Sequence, residues 1–162
     1  MVGPTRYPTR MLLELKLPPP VLVVAAGTLM YGAAEWLPAL AYTLPGAHGA
    51  ARAVAVVAVL IIGVAVLGFL HAGTTIDPRH PKKANTLVTS GLYRFSRNPM
   101  YLADLLLLVA WALKLGNWAA WLPVPLFVWW MNRFQIRVEE AALISRFGDA
   151  YAVYCRKVRR WL

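Results

Sequence analysis

The side chains able to do chemistry fall in two stretches of the chain. The first is Gly91-Leu92-Tyr93-Arg94-Phe95-Ser96-Arg97-Asn98-Pro99-Met100-Tyr101-Leu102; the second runs from Arg137 through Glu139 and Glu140 to Tyr151 and Tyr154. In the first, Asn98 followed by Pro99 reads as the N-cap and first residue of a helix. Arg94 and Arg97 then sit just ahead of a helix N-terminus, where unpaired amide donors and guanidinium groups converge, an arrangement suited to a carboxylate or phosphate. The same arginines would serve equally to anchor a helix at a membrane surface. In the second stretch, Glu139 and Glu140 are adjacent and point about 100° apart on a helix. One can pair with Arg133, Arg137 or Arg146 while the other turns inward; a solvated charged turn accounts for them as well.

Other catalytic arrangements are missing from the sequence. His48, His71 and His80 are scattered, so no metal-ligand spacing exists and no metal is expected. There is no serine nucleophile elbow, P-loop or GxGxxG. Cys155 is the single cysteine, which excludes a disulfide-stapled module and leaves a free thiol as the default.

Long apolar runs must position the two stretches. Of 162 residues, 59% are hydrophobic and 15% charged, against about a quarter charged in ordinary soluble domains. Ala53 to Leu70 is an unbroken apolar run, worth roughly 27 Å of helix against a hydrocarbon core of about 30 Å. Val21 to Tyr42 is a second such run, interrupted by Glu35 and Pro38. Met100 to Leu115 and Trp118 to about Phe134 are a third and fourth, joined by a tight turn at Gly116-Asn117. Pro123 and Pro125 predict a kink or a shortened fourth helix. The fold class expected is therefore all-α: a multi-pass transmembrane helical bundle of about four spans, the last two a short hairpin. Residues 1–162 form a single domain, with residues 1–70 a two-span part and 71–162 the loop, hairpin and tail.

The positive charges orient it. With four spans and both termini inside, fifteen Lys and Arg fall on the cytoplasmic side and two, Arg52 and Lys114, outside. The net charge of +10 therefore needs no nucleic acid; topology and anionic headgroups account for it. The first run is too long for a cleavable signal peptide, and Pro18-Pro19-Pro20 is an atypical entry to one. Polar residues concentrate in the cytoplasmic loop His71 to Pro99 and the tail Arg133 to Leu162. Gly148-Asp149 reads as a helix stop followed by a new N-cap. Tyr151, Tyr154, Val158 and Trp161 then recur on one face, with Arg156, Lys157, Arg159 and Arg160 filling much of the remainder. That predicts an interfacial amphipathic helix, aromatics at the lipid boundary and cations at headgroups. Glu35 and Asp104 lie inside apolar runs and are functional candidates by depth, though each is near enough an interface to be solvated.

The first stretch resembles the G-x-Y-x-x-x-R-H-P-x-Y signature of integral membrane methyltransferases, the isoprenylcysteine carboxyl methyltransferase and phospholipid methyltransferase families. Arg137-x-Glu139-Glu140-x-x-Leu143, followed by Arg146-Phe147-Gly148, Tyr151 and Tyr154, resembles their C-terminal R-x-E-E…FG-x-x-Y-x-x-Y element. The resemblance covers Leu87 to Leu162 and leaves the first two runs without a motif. It implies an S-adenosylmethionine-dependent methyltransferase with its cofactor on the cytoplasmic side. Carried over by position, Tyr93, Arg97, Asn98, Pro99, Tyr101, Glu139 and Glu140 would line the cofactor site. Arg94, Arg137 and Glu140 would be the catalytic residues.

Asn98 stands where these families usually have histidine. Asn keeps a donor and an acceptor but cannot carry a proton at neutral pH, so it can position the cofactor but not act as a base. The acceptor would be a small lipophilic molecule or lipid entering sideways from the bilayer. A prenylcysteine-type carboxylate would be oriented by Arg94 or Arg137 and needs no base, whereas a lipid amine could lose its proton to Glu139, Glu140 or Asp104. Two other readings compete. A small proton-coupled exporter also has four short spans and a glutamate in the first, but brief loops. A sterol-type reductase would use NADPH and more spans.

Overall fold

The computed structural model describes residues 17–71 and 86–162. Arg6, Arg10 and Lys16, and the turn-rich residues 73–85 with Arg79, His80, Lys82 and Lys83, lie outside the described residues. What is described is helical, with no strand beyond an isolated bridge between Ala41 and Asn117.

Helix α1 (Pro19–Trp36) carries prolines in its first turn, where no amide is needed for the helix ladder. It ends because Pro38 forces its predecessor out of the helical region: Leu37 has φ −122° and ψ 60°. A 3-10 turn, Pro38–Leu40, leads to α2 (Ala47–His71). Among the described residues α2 is the helix long and apolar enough to cross a membrane. Val56, Val59, Leu60, Val64 and Leu67 of α2 are exposed.

Helix α3 (Pro99–Leu115) lies at the centre, packed on α2, α1 and α4 (Pro123–Trp130). Buried alanines on α2 (Ala47, Ala51, Ala58 and Ala65) and α3 (Ala103 and Ala110) let the two backbones approach closely. The main core joins Met30 of α1 with Tyr101, Leu108 and Ala112 of α3, Phe127 of α4, and Met131 and Ile136 beyond it.

The turn between α3 and α4 is the tight one expected. Gly116 takes the left-handed conformation (φ 58°, ψ 40°), and its carbonyl accepts from the Tyr42 amide at 2.7 Å. A β-carbon there would stand 2.9 Å from the Tyr42 carbonyl oxygen, so only glycine fits. Buried Asn117 accepts from the Ala119 amide (2.8 Å) and donates to the Leu37 carbonyl (2.9 Å), fastening the turn to the end of α1. The α1–α2 and α3–α4 connections thus meet at one end of the molecule.

The fourth helix is shortened, one of the two outcomes its prolines predict. Residues Trp118–Trp121 form a 3-10 turn, and the helix starts at Pro123. Pro123 and Pro125 both fall in its first turn, where they cost no hydrogen bond and cause no kink. The irregularity comes later, as a π-helical segment over Met131–Ile136, and the helix runs on as α5 (Arg137–Phe147) past the end of the apolar run. Gly148 (φ 53°) stops it, and α6 (Asp149–Lys157) follows, with Asp149 in the first turn rather than at the cap.

The tail also corrects the amphipathic-anchor reading. Tyr151, Tyr154 and Val158 are buried against Leu87, Leu143 and Phe147 instead of facing outward. Periodicity reveals an apolar face but not what covers it; here the 86–96 loop does, with the Tyr154 hydroxyl donating to the Tyr93 carbonyl at 2.6 Å. The helix stops at Lys157, and residues 158–162 continue as an irregular strap.

Candidate active site

The loop before α3 is shaped by its own backbone and held from two sides. Gly91, with φ 59°, opens the 3-10 turn Gly91–Arg94. That turn buries Tyr93 edge-on against the Phe69 ring of α2, centroids 5.3 Å apart, while Tyr154 holds its carbonyl. Ser96, 2% exposed, accepts the Asn98 amide through Oγ at 3.1 Å. Asn98 sits at the N-cap position as expected, but its side chain does not cap the helix. Its Nδ2 donates instead to the Arg160 carbonyl at 2.9 Å, and the Arg97 amide donates to the Arg159 carbonyl at 3.0 Å. The strap therefore runs alongside the loop, and Pro99 starts α3 immediately after.

Glu139 and Glu140 separate as adjacent helical residues must. Glu140 takes Arg97 NH2 on Oε1 at 3.2 Å, and Arg160 binds both of its oxygens, Nε to Oε1 at 3.1 Å and NH2 to Oε2. Arg97 and Arg160 are thus partners of Glu140 that spacing along its own helix does not reveal. Two guanidiniums and one carboxylate leave a net single positive charge beside the N-terminus of α3. That arrangement holds Arg160 further towards its charged form, chiefly through the hydrogen bonds it donates to Glu140. Arg97 Nε is buried and has no hydrogen-bond partner among the described residues, a donor that asks for an acceptor.

Glu139 turns the other way, into the bundle. Its Oε1 accepts from the Tyr101 hydroxyl at 2.6 Å and from Gln135 Nε2, and Gln135, 3% exposed, also donates to the Tyr101 oxygen at 3.4 Å. Burial disfavours its charge and pushes Glu139 up to about 7, against the lowering effect of the two donors; Glu140 adds a small rise. Burial likewise raises the Tyr93 and Tyr151 phenols and takes Tyr154 to about 12, so all three stay protonated donors.

The structure thus joins Tyr93, Arg97, Asn98, Pro99, Tyr101, Glu139 and Glu140 around the start of α3. Arg94 and Arg137 are not drawn in; both are exposed. Ser96, Asn132, Gln135, Arg160 and Trp161 were not anticipated. Asn132 receives Arg160 NH1 (3.4 Å) and Trp161 Nε1 (3.2 Å) on its side-chain oxygen. A signal existed: Asn132, Gln135 and Glu139 recur at i, i+3 and i+7, a polar stripe that begins in the fourth apolar run and continues past its end. Glu35, the carboxylate an exporter would need at depth, is exposed at the end of α1.

The sequence profile of the phospholipid methyltransferase family matches residues 47–150. A 63-residue stretch, 39% of the chain, is 57% identical to the whole of an uncharacterised protein from Haemophilus influenzae. A 76-residue stretch, 47% of the chain and 32% of the relative, is 37% identical to protein-S-isoprenylcysteine O-methyltransferase of Schizosaccharomyces pombe. No solved structure matches the chain. The family match takes in well over half of the sequence and both motif segments up to the start of α6, and the chain belongs to the phospholipid methyltransferase family of methyl-transferring enzymes.

Proposed function

We propose that the protein is an S-adenosylmethionine-dependent methyltransferase of the cytoplasmic membrane, acting on a small lipophilic or membrane-embedded amine. The observation that carries this reading is the Arg97–Glu140 contact at 3.2 Å, which brings the two motif segments into one site at the start of α3.

The residues present suit the cofactor. Its carboxylate calls for cations and free donors, and Arg97 offers an unpartnered buried Nε within a positively charged cluster at a helix N-terminus. Its ammonium, sulfonium and ribose hydroxyls call for carboxylates and aromatic faces, which Glu139, Glu140, Tyr93 and Tyr101 supply. Asn98 and Pro99 set the first turn of α3 beneath them. When bound, the cofactor supplies a methyl group on a sulfonium centre, transferred by in-line displacement. The chain then contributes alignment and charge placement. Arg97 fixes the carboxylate end. Glu139, held by Tyr101 and Gln135, accepts the proton that an amine acceptor releases once the new carbon–nitrogen bond has formed.

That last point favours an amine over a carboxylate. Arg94 and Arg137, which would orient an anionic acceptor, are both exposed, and the group presented inside the bundle is an acid. A carboxylate acceptor, as in prenylcysteine methylation, would meet repulsion from Glu139 and have no use for its proton affinity.

The membrane placement belongs to the same proposal. Four crossings put the α1–α2 and α3–α4 connections on the outer face and the site, both termini and anionic headgroups on the cytoplasmic face. It is supported by the meeting of those two connections at one end through Tyr42 and Gly116, and by Arg97 and Arg160 at the opposite end of α3. Residues 1–162 act as one unit, the acceptor entering sideways between helices. No metal or nucleic acid has a role in it.

Calorimetry on detergent-purified protein tests the reading. Micromolar S-adenosylmethionine binding by wild type, weakened at least tenfold (about 1.4 kcal/mol) in Arg97→Ala or Glu140→Ala, is expected. Folded wild-type protein that does not bind the cofactor overturns it.

A further inference from the structure

We infer that Arg160 is a positioning residue of the cofactor site, acting through Glu140, and that the strap at residues 158–162 is a wall of that site rather than a membrane anchor. The inference rests on the methyltransferase reading and adds a residue that neither motif contains.

Four cations stand close together near the end of the chain, and the structure treats one of them differently. Arg156, Lys157 and Arg159 are exposed, as headgroup contacts would be, whereas the Arg160 side chain is 30% exposed and turned onto the site. It grips both oxygens of Glu140 in the fork geometry that guanidinium alone provides and places NH1 on Asn132 of the π-helical segment. Its carbonyl receives Asn98 Nδ2 and the Ser96 hydroxyl (3.4 Å), and the preceding carbonyl receives the Arg97 amide. Trp161 closes the strap by packing on the main core. Arg160 therefore ties the loop before α3, the π-helical segment and α5 to one point.

The consequence falls on Arg97. A carboxylate offers about four acceptor positions. Arg160 takes two of those on Glu140 and Arg97 one, while Arg97 Nε has no hydrogen-bond partner among the described residues. With Arg160 removed, Glu140 is free to swing and take Arg97 as its own fork partner. The cluster falls from one net positive charge to neutral, and the donor that would meet the cofactor carboxylate is consumed. Arg160 touches neither cofactor nor acceptor in this account; it keeps Arg97 available by occupying Glu140.

A binding cycle tests this. Calorimetry with S-adenosylmethionine is run on full-length wild type, Arg160→Met, Arg160→Lys, Glu140→Gln and the Arg160→Met/Glu140→Gln double variant, with Lys157→Met as an exposed control. Arg160→Met is expected to raise Kd about tenfold, Arg160→Lys by less, and Lys157→Met not at all. In the Glu140→Gln background the Arg160→Met effect is expected to shrink below twofold, because its target is gone. An equal loss in both backgrounds marks a merely structural role and overturns the inference, as does an unchanged Kd in folded Arg160→Met. If Arg160→Met does not fold, Arg160→Lys carries the test: a Kd raised threefold or more supports the inference, and an unchanged one overturns it. Wild type that fails to bind overturns the methyltransferase reading itself, a separate result.

Discussion

Glu139 makes the stability of this protein depend on pH in a direction opposite to that of most carboxylates. Burial raises it from 4.5 to about 7, so the folded chain holds its proton more tightly than the unfolded chain does. Stability is therefore highest below pH 4.5 as far as this group is concerned, declines as pH rises between the two values, and is lowest above 7. At about 1.4 kcal/mol per unit, the ionised form costs the folded state about 3 kcal/mol relative to the protonated one. Glu139→Gln keeps an oxygen for the Tyr101 and Gln135 donors but cannot ionise. Unfolding is followed by denaturant titration in maltoside micelles from pH 5 to 8. The difference between wild type and variant cancels every other titrating group, and it is expected to move by about 2–3 kcal/mol across that range in favour of the variant at high pH. A difference that stays flat with pH, or grows in favour of wild type, refutes the claim that burial controls this carboxylate.

Three other substitutions probe the parts that hold the site. Gly116→Ala places a β-carbon 2.9 Å from the Tyr42 carbonyl oxygen at a positive φ, and should lower unfolding free energy by about 2 kcal/mol in the same titration. Tyr154→Phe leaves the Tyr93 carbonyl without its donor and should cost about 1–2 kcal/mol, with the larger change in protease sensitivity at the loop before α3. Tyr101→Phe removes a donor that favours ionised Glu139 and should move the midpoint of the pH–rate profile for methyl transfer to higher pH, with cofactor Kd changed less than the rate.

Much of the arrangement can be read from local chemistry. Apolar runs of helical length, the Asn98-Pro99 start and the Gly116-Asn117 turn each carry their own conformational preference, and the helices and turn stand where that preference puts them. Adjacent positions on a helix guarantee that Glu139 and Glu140 diverge. What local chemistry cannot show is the partner. Glu140 pairs with Arg97 and Arg160, which are distant in sequence, and no spacing along its own helix points to either. The aromatics of α6 have the same periodicity whether lipid or protein covers them, and protein does. Pro123 and Pro125 look like a kink until the helix start is located at Pro123 itself, and the π-helical segment beyond has no composition of its own. The strap was hidden by its charge: four cations near a chain end resemble a headgroup contact, and only three-dimensional pairing separates Arg160 from Arg159.

The most direct measurement of the central claim is transfer of a labelled methyl group from S-adenosylmethionine in proteoliposomes, with an aminophospholipid or a prenylcysteine offered as acceptor to wild type and to Arg97→Ala. The account predicts label on the lipid amine with wild type, a loss of tenfold or more with Arg97→Ala at limiting cofactor, and little label on prenylcysteine. Label on prenylcysteine alone would contradict the role given to Glu139. No label on either acceptor, with folded protein that binds the cofactor, would contradict the proposed acceptor class.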